Sequence, residues 1–153
     1  MNLILEINNL DSCNFNQKKL ELTVIETIKQ AELVILLKKD VLVSIGLISE
    51  SEIKKINKKY RNKNSSTDIL SFGNFNSKEE LINQSEENIF LGELLVCPAD
   101  IKKYCQEKNI EFEKEFFKVV SHGMLHLVGF RHGKKMFEIQ KDVANKISKN
   151  SLK

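Results

Sequence analysis

The sequence predicts an α+β fold, in which a small mixed β-sheet of about four strands packs against about five helices. Two observations lead to this fold class. Several short runs are rich in β-branched and aliphatic residues and are bounded by charged or turn-forming residues, as strands are. Several longer segments repeat their apolar residues at intervals of three and four, as helices with one buried face do. With 153 residues, 41% of them apolar and 29% charged, residues 1–153 are expected to form one globular domain with a sizeable core.

The first half of the chain is predicted to contain two strands, each followed by a helix. The strands are residues 3–7 and 41–49, the second of which is rich in Val and Ile. The first helix extends over about 16–31, where apolar residues follow helical spacing. The second helix begins at an S-x-x-E capping box, Ser49 and Glu52. One face of this second helix is predicted to carry Ile53, Ile56, Asn57 and Tyr60.

The middle of the chain is predicted to alternate between loops and strands. Residues 61–67 are polar and form a loop, and residues 68–72 form a short strand. Thr67 and Asp68 are expected to stabilise this junction by local hydrogen bonds. Residues 73–88 show little pattern and are predicted to be a surface loop, and residues 89–96 form the last strand.

Three helices are predicted to complete the fold. Pro98 suits the first turn of a helix that extends to about 107. The next helix, about 111–128, is followed by Gly129, a residue that often ends a helix in a left-handed turn. The last helix covers about 134–149. The buried residues expected on the 111–128 helix are Phe116, Phe117, Val120, Met124, Leu127 and Val128.

Composition excludes several classes of protein. The longest apolar runs, such as residues 41–48, are far shorter than the ~20 residues that cross a bilayer. The first residues lack the basic start of a signal peptide, so we expect a cytoplasmic protein without membrane contact. The three cysteines share no C-x-x-C spacing, which argues against a disulfide framework and a thiolate zinc site.

All three histidines of the chain lie within eleven residues. His122, His126 and His132 have the spacing H-x3-H-x5-H. The first two lie one turn apart on the same face of a predicted helix, and Gly129 allows the chain to reverse so that the third approaches them. Three nitrogen ligands leave a coordination position open for water or substrate, as in catalytic metal sites. The spacing therefore predicts a metal-bearing helix like that of the zincins, with imidazole ligands that suit zinc, nickel, copper or iron.

The residue after the first histidine argues against peptide hydrolysis. Metalloproteases of the H-E-x-x-H type place their general-base glutamate there. This chain has Gly123 at that position. The ligands are protease-like, but the base that cleaves peptides is absent.

Residues 54–63 form a locally basic stretch. It contains six cations and no acid: Lys54, Lys55, Lys58, Lys59, Arg61 and Lys63. Such a patch can bind phosphates, but a solvated helix face has the same composition. Arg61 is the strongest candidate, because a guanidinium grips phosphate with two parallel hydrogen bonds. Its alternative role is to offset the dipole at the end of the helix.

Three blocks of sequence together resemble the YbeY family of bacterial endoribonucleases and rRNA maturation factors. They are HGMLHLVG with the histidine that follows it, INKKYRNKNSSTDILSF (56–72) and LGELLVCPADI (91–101). Their order and spacing fit that family over about residues 42–145. One departure is Arg131, where the family usually has aspartate before its third histidine.

The resemblance implies a metal-dependent endoribonuclease, specific for single strands, that acts in rRNA processing (16S 3′ end maturation) and ribosome quality control. It implies that His122, His126 and His132 hold one divalent ion, Zn²⁺ first among the candidates. It also implies that Arg61 is catalytic and faces the metal across a cleft, while Lys59 and Lys63 are candidates for binding substrate RNA. The expected partners are rRNA and the ribosome or its proteins.

Two other functions remain open from the sequence. One is a metallohydrolase acting on a different substrate, because the residues include no base-reading motif. The other is a non-catalytic ribosome-assembly factor in which the metal holds the last helices together. The residues also leave open whether water or the 2′-hydroxyl of RNA attacks the phosphate, and the oligomeric state.

Overall fold

The computed structural model describes residues 1–149. The final four residues of the predicted domain, 150–153, lie outside the described residues. The fold class predicted from the sequence is confirmed: a four-stranded mixed sheet packs against helices. The strands are β1 (Asn2–Asn9), β2 (Asp40–Leu47), β3 (Ile69–Gly73) and β4 (Asn88–Val96). The helices are α1 (Gln17–Gln30), α2 (Glu50–Arg61), α3 (Lys78–Ile82), α4 (Pro98–Lys108), α5 (Phe112–Leu127) and α6 (Lys134–Ser148).

The sheet has the strand order β1-β2-β4-β3. β1 is parallel to β2 and β2 is parallel to β4, whereas β3 is antiparallel to β4. The parallel pairing of β1 and β2 requires a crossover, which α1 and a short 3₁₀ helix, Val34–Lys38, provide. Leu42 of β2 pairs with Phe90 and Val43 pairs with Gly92, so the register shifts by one residue and Leu91 of β4 forms a bulge.

The main core lies between one face of the sheet and the helices α1, α5 and α6. Every second residue of β2 enters it, which is the alternation expected of a strand with one face on the core. All six apolar residues predicted to point inward from α5 are buried. A smaller apolar cluster beneath α2 consists of Ile48, Ile53, Leu70 and Cys97. Together these contacts fix α2, β3 and α5 relative to one another.

The structure corrects three details of the prediction. Residues 73–88 are predicted to form a loop, but they contain α3. The side chain of its N-cap residue, Ser77, accepts a hydrogen bond from the backbone N–H of Glu80. The 3₁₀ helix over Val34–Lys38 was not predicted. Tyr60 does not share the buried face of α2: it is 56% exposed, and its ring meets Phe72 edge-on, because the last turn of the helix extends past the apolar cluster.

Two expectations about the ends of elements agree with the structure. Ser49 is the N-cap of α2, and its side chain accepts a hydrogen bond from the backbone N–H of Glu52. Pro98 occupies the first turn of α4. Over residues 1–149, no helix combines the length and the apolar character needed to cross a membrane.

Candidate metal centre

Helix α5 places two of the three histidines. Its apolar residues face the core, while His122 and His126, one turn apart, lie on the side that opens to solvent. Their Nε2 atoms are 3.2 Å apart. The two imidazoles therefore reach one point, as their spacing predicts.

The turn after α5 brings the third histidine to the same point. Gly129 has φ of +95°, and a Cβ there would lie 2.7 Å from the backbone nitrogen of Lys78, so only glycine fits without strain. The backbone N–H of Phe130 then donates to the carbonyl of Leu125, which closes the turn. As a result, Nε2 of His132 lies 3.3 Å from Nε2 of both His122 and His126.

Hydrogen bonds to the outer ring nitrogens fix the tautomers of two histidines. Nδ1 of His122 is 2.7 Å from Oε1 of Gln140, and Nδ1 of His126 is 3.1 Å from the carbonyl oxygen of Phe130. Both partners are acceptors, so each Nδ1 carries the proton and donates it. Each Nε2 consequently turns a lone pair toward the centre of the cluster.

This geometry fits a divalent metal ion. Two nitrogen ligands at about 2.0–2.1 Å from a tetrahedral Zn²⁺ lie about 3.3–3.4 Å apart, and the three ring nitrogens lie 3.2, 3.3 and 3.3 Å apart. Lone pairs at this distance repel one another unless a cation lies between them. Across the described residues, 1–149, these histidines are the one group of His, Cys, Asp or Glu close enough to share an ion.

The surroundings of His126 favour its neutral form. Burial lowers the pKa of His126, and the nearby His122 and His132 lower it further, while its hydrogen bond to the Phe130 carbonyl opposes this change. A lowered pKa leaves the ring unprotonated near neutral pH, which is the form that binds metal.

The structure explains why position 123 cannot carry a general base. Gly123 is buried and faces the sheet: a Cβ there would lie 2.5 Å from Cδ1 of Ile69 and 2.9 Å from Cδ2 of Leu94. A glutamate at this position would point into the sheet rather than toward the histidines. The close approach of α5 to β3 and β4 therefore separates this site from peptide-cleaving ones.

The histidines open into a cavity of about 540 Å³ that also contains Arg61. Its guanidinium donates a hydrogen bond of 2.8 Å to the carbonyl of Ser71 and lies 5.0 Å from the centre of the Phe72 ring. β3 thus holds the arginine in the cavity that the three histidines also line. The guanidinium of Arg61 has five N–H donors, and its hydrogen bond to the Ser71 carbonyl uses one of them.

The two candidate substrate-binding lysines occupy different places. Lys63 lines the cavity with Arg61. Lys59 is not among the lining residues, and its ammonium lies 5.2 Å from the centre of the Tyr60 ring. Arg131, the departure from the family pattern, is exposed and does not line the cavity.

Two further residues at the site were not predicted as functional. Asp68 was expected only to stabilise a junction, and its carbonyl does accept from the backbone N–H of Cys97, but the residue also lines the cavity. Desolvation in the cavity raises the pKa of its carboxyl, and the nearby His122 opposes this rise. Gln140 was missed, although a polar residue between Ile139 and Val143 on an apolar helix face was an available signal.

Comparisons with known proteins show the family to which the chain belongs. Residues 6–148 match the family described as "Endoribonuclease YbeY". The chain is similar to the Endoribonuclease YbeY of Thermotoga maritima, at 38% identity over 114 residues, which are 71% of this chain and 69% of that protein. It is also similar to the Endoribonuclease YbeY of Thermodesulfovibrio yellowstonii, at 37% identity over 60% of this chain and 54% of that one.

A solved structure supports the fold as well. The solution structure of a Thermotoga maritima protein superimposes with a TM-score of 0.60 and 32% sequence identity, over 94% of this chain and 89% of that one.

Proposed function

Because the chain belongs to the YbeY endoribonuclease family, we propose that it cleaves single-stranded RNA in a metal-dependent reaction. The observation that carries the proposal is the convergence of three Nε2 atoms, 3.2–3.3 Å apart, in a cavity that also contains Arg61. The relatives with which it shares 35–38% identity are named endoribonucleases. The scissile phosphate is proposed to bind in this cavity, between the histidines and the arginine.

His122, His126 and His132 are proposed to hold one Zn²⁺. Imidazole also suits other transition metals, so the proposal rests on the near-tetrahedral spacing of the nitrogens. When bound, the ion supplies Lewis acidity toward a phosphate oxygen and lowers the pKa of a coordinated water.

Arg61 is proposed as the catalytic residue that stabilises negative charge on the phosphate. Its bond to the Ser71 carbonyl and its contact with the Phe72 ring hold the guanidinium in place before substrate arrives. A donor that needs no reorganisation during the reaction stabilises a transition state more than a mobile one does. Lys63 is proposed to bind a phosphate of the RNA in the same cavity, and Lys59 is proposed to bind a phosphate farther along the RNA strand.

The proposed biological role is the processing of ribosomal RNA, including maturation of the 16S 3′ end, together with ribosome quality control. The partners would be rRNA and the ribosome or its proteins, in the cytoplasm. Family membership supports this role, and so does the basic stretch over residues 54–63, which carries six cations. Phosphate contacts of this kind provide affinity without reading sequence.

Arg61→Ala tests the catalytic role. We expect kcat for a single-stranded RNA to fall about 100-fold or more, because one positioned donor is worth ~10²–10³ in rate. Zinc content should stay at one ion per chain, because Arg61 is not a ligand. Lys18→Ala, which removes one exposed positive charge from α1, is the control and should keep its activity.

The alternatives predict different results. If Arg61→Ala cleaves RNA at the parent rate, its catalytic role is excluded. If alanine at any metal ligand unfolds the protein and the parent cleaves no RNA, the ion is structural and the assembly-factor function is correct. Cleavage of a different phosphoester but not of RNA would indicate the other metallohydrolase.

A further inference from the structure

We infer that a second cleft beside the metal centre binds a nucleobase of the RNA strand. The inference rests on the proposed function, since it locates part of the same substrate. The cleft lies between α4 and α6, with α5 as its floor, and has a volume of about 250 Å³. Tyr104 and Phe137 form its sides, and Glu115, Lys118 and Val119 form its floor.

The cleft is continuous with the metal centre. Asp68 and His122 line both the histidine cavity and this cleft. If the scissile phosphate of an RNA strand lies between the histidines and Arg61, a nucleotide next to that phosphate can therefore reach the cleft.

The two aromatic side chains of the cleft are open to solvent. Tyr104 is 44% exposed and Phe137 is 49% exposed. The Phe137 ring lies nearly parallel to that of His132, at 17° and 6.2 Å between ring centres, so the metal centre and the ring are packed side by side. Exposed rings beside a single-strand site are the groups on which nucleobases stack, because every base has a π face.

The charges distinguish a base from a phosphate. The histidine cavity is lined by two cations, Arg61 and Lys63, and one acid, Asp68, whereas the cleft is lined by two acids, Asp68 and Glu115, and one cation, Lys118. Glu115 is 3.9 Å from the ammonium of Lys118. Carboxylates repel phosphate but accept hydrogen bonds from amino groups on base edges. The cleft should thus prefer adenine, cytosine or guanine, which carry an exocyclic amino group, over uracil.

A second metal site does not explain these acids. In residues 1–149, the histidines are the only group of three or more His, Cys, Asp or Glu residues whose ligand atoms come within reach of one ion. Asp68 and Glu115, the two carboxylates that line the cleft, belong to no such group. They are therefore placed to contact the edge of a flat ligand.

Binding of 2′-O-methyl octanucleotides of A, C and U, followed by fluorescence anisotropy with metal-free and zinc-loaded protein, tests the inference. We expect Tyr104→Leu and Phe137→Leu each to raise Kd about 5- to 150-fold, the range that follows from losing one stacked base. The loss of affinity should be larger for the A and C oligomers than for the U oligomer. Tyr104→Phe keeps the ring and should bind like the parent.

Phe90→Leu is the matched control, because Phe90 is 42% exposed on β4 and lines a different concavity. It should leave Kd unchanged. Leucine variants that bind all oligomers as tightly as the parent would overturn the inference while leaving the proposed function intact. A parent protein that binds no oligomer in either metal state would contradict the proposed function itself, and the inference with it.

Discussion

Gln140 is a buried polar side chain on the apolar face of α6, with 7% of its surface exposed. Its Oε1 accepts the Nδ1 proton of His122 at 2.7 Å. Such a bond orients the ring and keeps Nε2 free for metal. Gln140 is therefore a positioning residue, which acts on the site through His122.

Replacing Gln140 tests this role at the scale of one residue. Gln140→Leu fills similar space but removes the acceptor, and we expect metal affinity to fall about 10- to 100-fold. Gln140→Glu keeps an acceptor and should retain the affinity. Competition between each protein and a zinc chelator measures the change, and equal affinity of Gln140→Leu and the parent would exclude the role.

The site could be predicted from sequence only where its residues are close along the chain. His122, His126 and His132 lie within eleven positions, and helix periodicity with a turn at Gly129 brings them together. The contact between His122 and Gln140 depends on how α5 and α6 pack, which no local pattern specifies. The same is true of Arg61, whose place opposite the histidines depends on its bond to Ser71 of β3.

At the scale of elements, the bulge in β4 sets the position of β3 and hence of Arg61. Gly92 has φ of +140°, and a Cβ there would lie 2.3 Å from the carbonyl oxygen of Phe72. Any larger residue must therefore push β3 away from β4. Ser71, which holds Arg61, is the residue before Phe72 on that strand.

Gly92→Ala should destabilise the protein by about 2 kcal/mol or more, from backbone strain and steric overlap. Denaturant unfolding of the metal-free protein measures the loss. Gly133→Ala is the control, because the nearest atom to its Cβ would be 3.9 Å away. A Gly92→Ala variant as stable as Gly133→Ala would show that β3 can move without cost.

The attachment of α6 to α1 depends on a charged contact that is sensitive to pH. Lys146 of α6 lies 2.8 Å from Glu26 of α1, which is mostly buried. Burial raises the pKa of Glu26, but the hydrogen bonds from Lys146 and Gln30 outweigh this and leave the pKa below its usual value. A carboxyl whose pKa is depressed on folding stabilises the protein above its unfolded pKa, and this stabilisation is lost as pH falls through the folded pKa.

Lys146→Met should accordingly lower Tm at pH 7, and the difference from the parent should shrink as pH falls through the lowered pKa of Glu26 and its carboxyl becomes protonated. Thermal unfolding of metal-free protein at several pH values measures this. Lys141→Met removes the same charge from the same helix and should show no such pH dependence. A Tm difference that persists unchanged at low pH would contradict the role of Glu26.

The two shortest helices were not predicted from the sequence, for a physical reason. α3 and the 3₁₀ helix are each five residues long, too short to show a period of 3.6. The S-x-x-E pattern at the start of α3 is nevertheless present in the sequence. The Ser77 hydroxyl accepts a hydrogen bond from the backbone N–H of Glu80, and the Glu80 carboxylate accepts one from the backbone N–H of Asn76. The long helices α5 and α6 were predicted within one residue at each end because their periodic apolar faces are buried as a unit.

At the scale of the whole molecule, the sheet order brings distant parts of the chain to one cavity. β3 pairs with β4 at the edge of the sheet and lies against α5, so the loop after α2 meets the histidines more than 50 positions later. Strand periodicity predicts which face of a strand is buried, but not which strand is its neighbour. The sequence therefore predicted a mixed sheet without predicting its order.

The central claim is that three ring nitrogens bind one divalent ion. Elemental analysis of the purified protein, followed by zinc titration of the metal-free protein against a chelator, tests it most directly. We expect one tightly bound ion per chain in the parent, and loss of that ion in His122→Ala, His126→Ala and His132→Ala, each checked for folding by circular dichroism. Absence of tight binding in the parent, or an unchanged stoichiometry in the three folded variants, would contradict the claim.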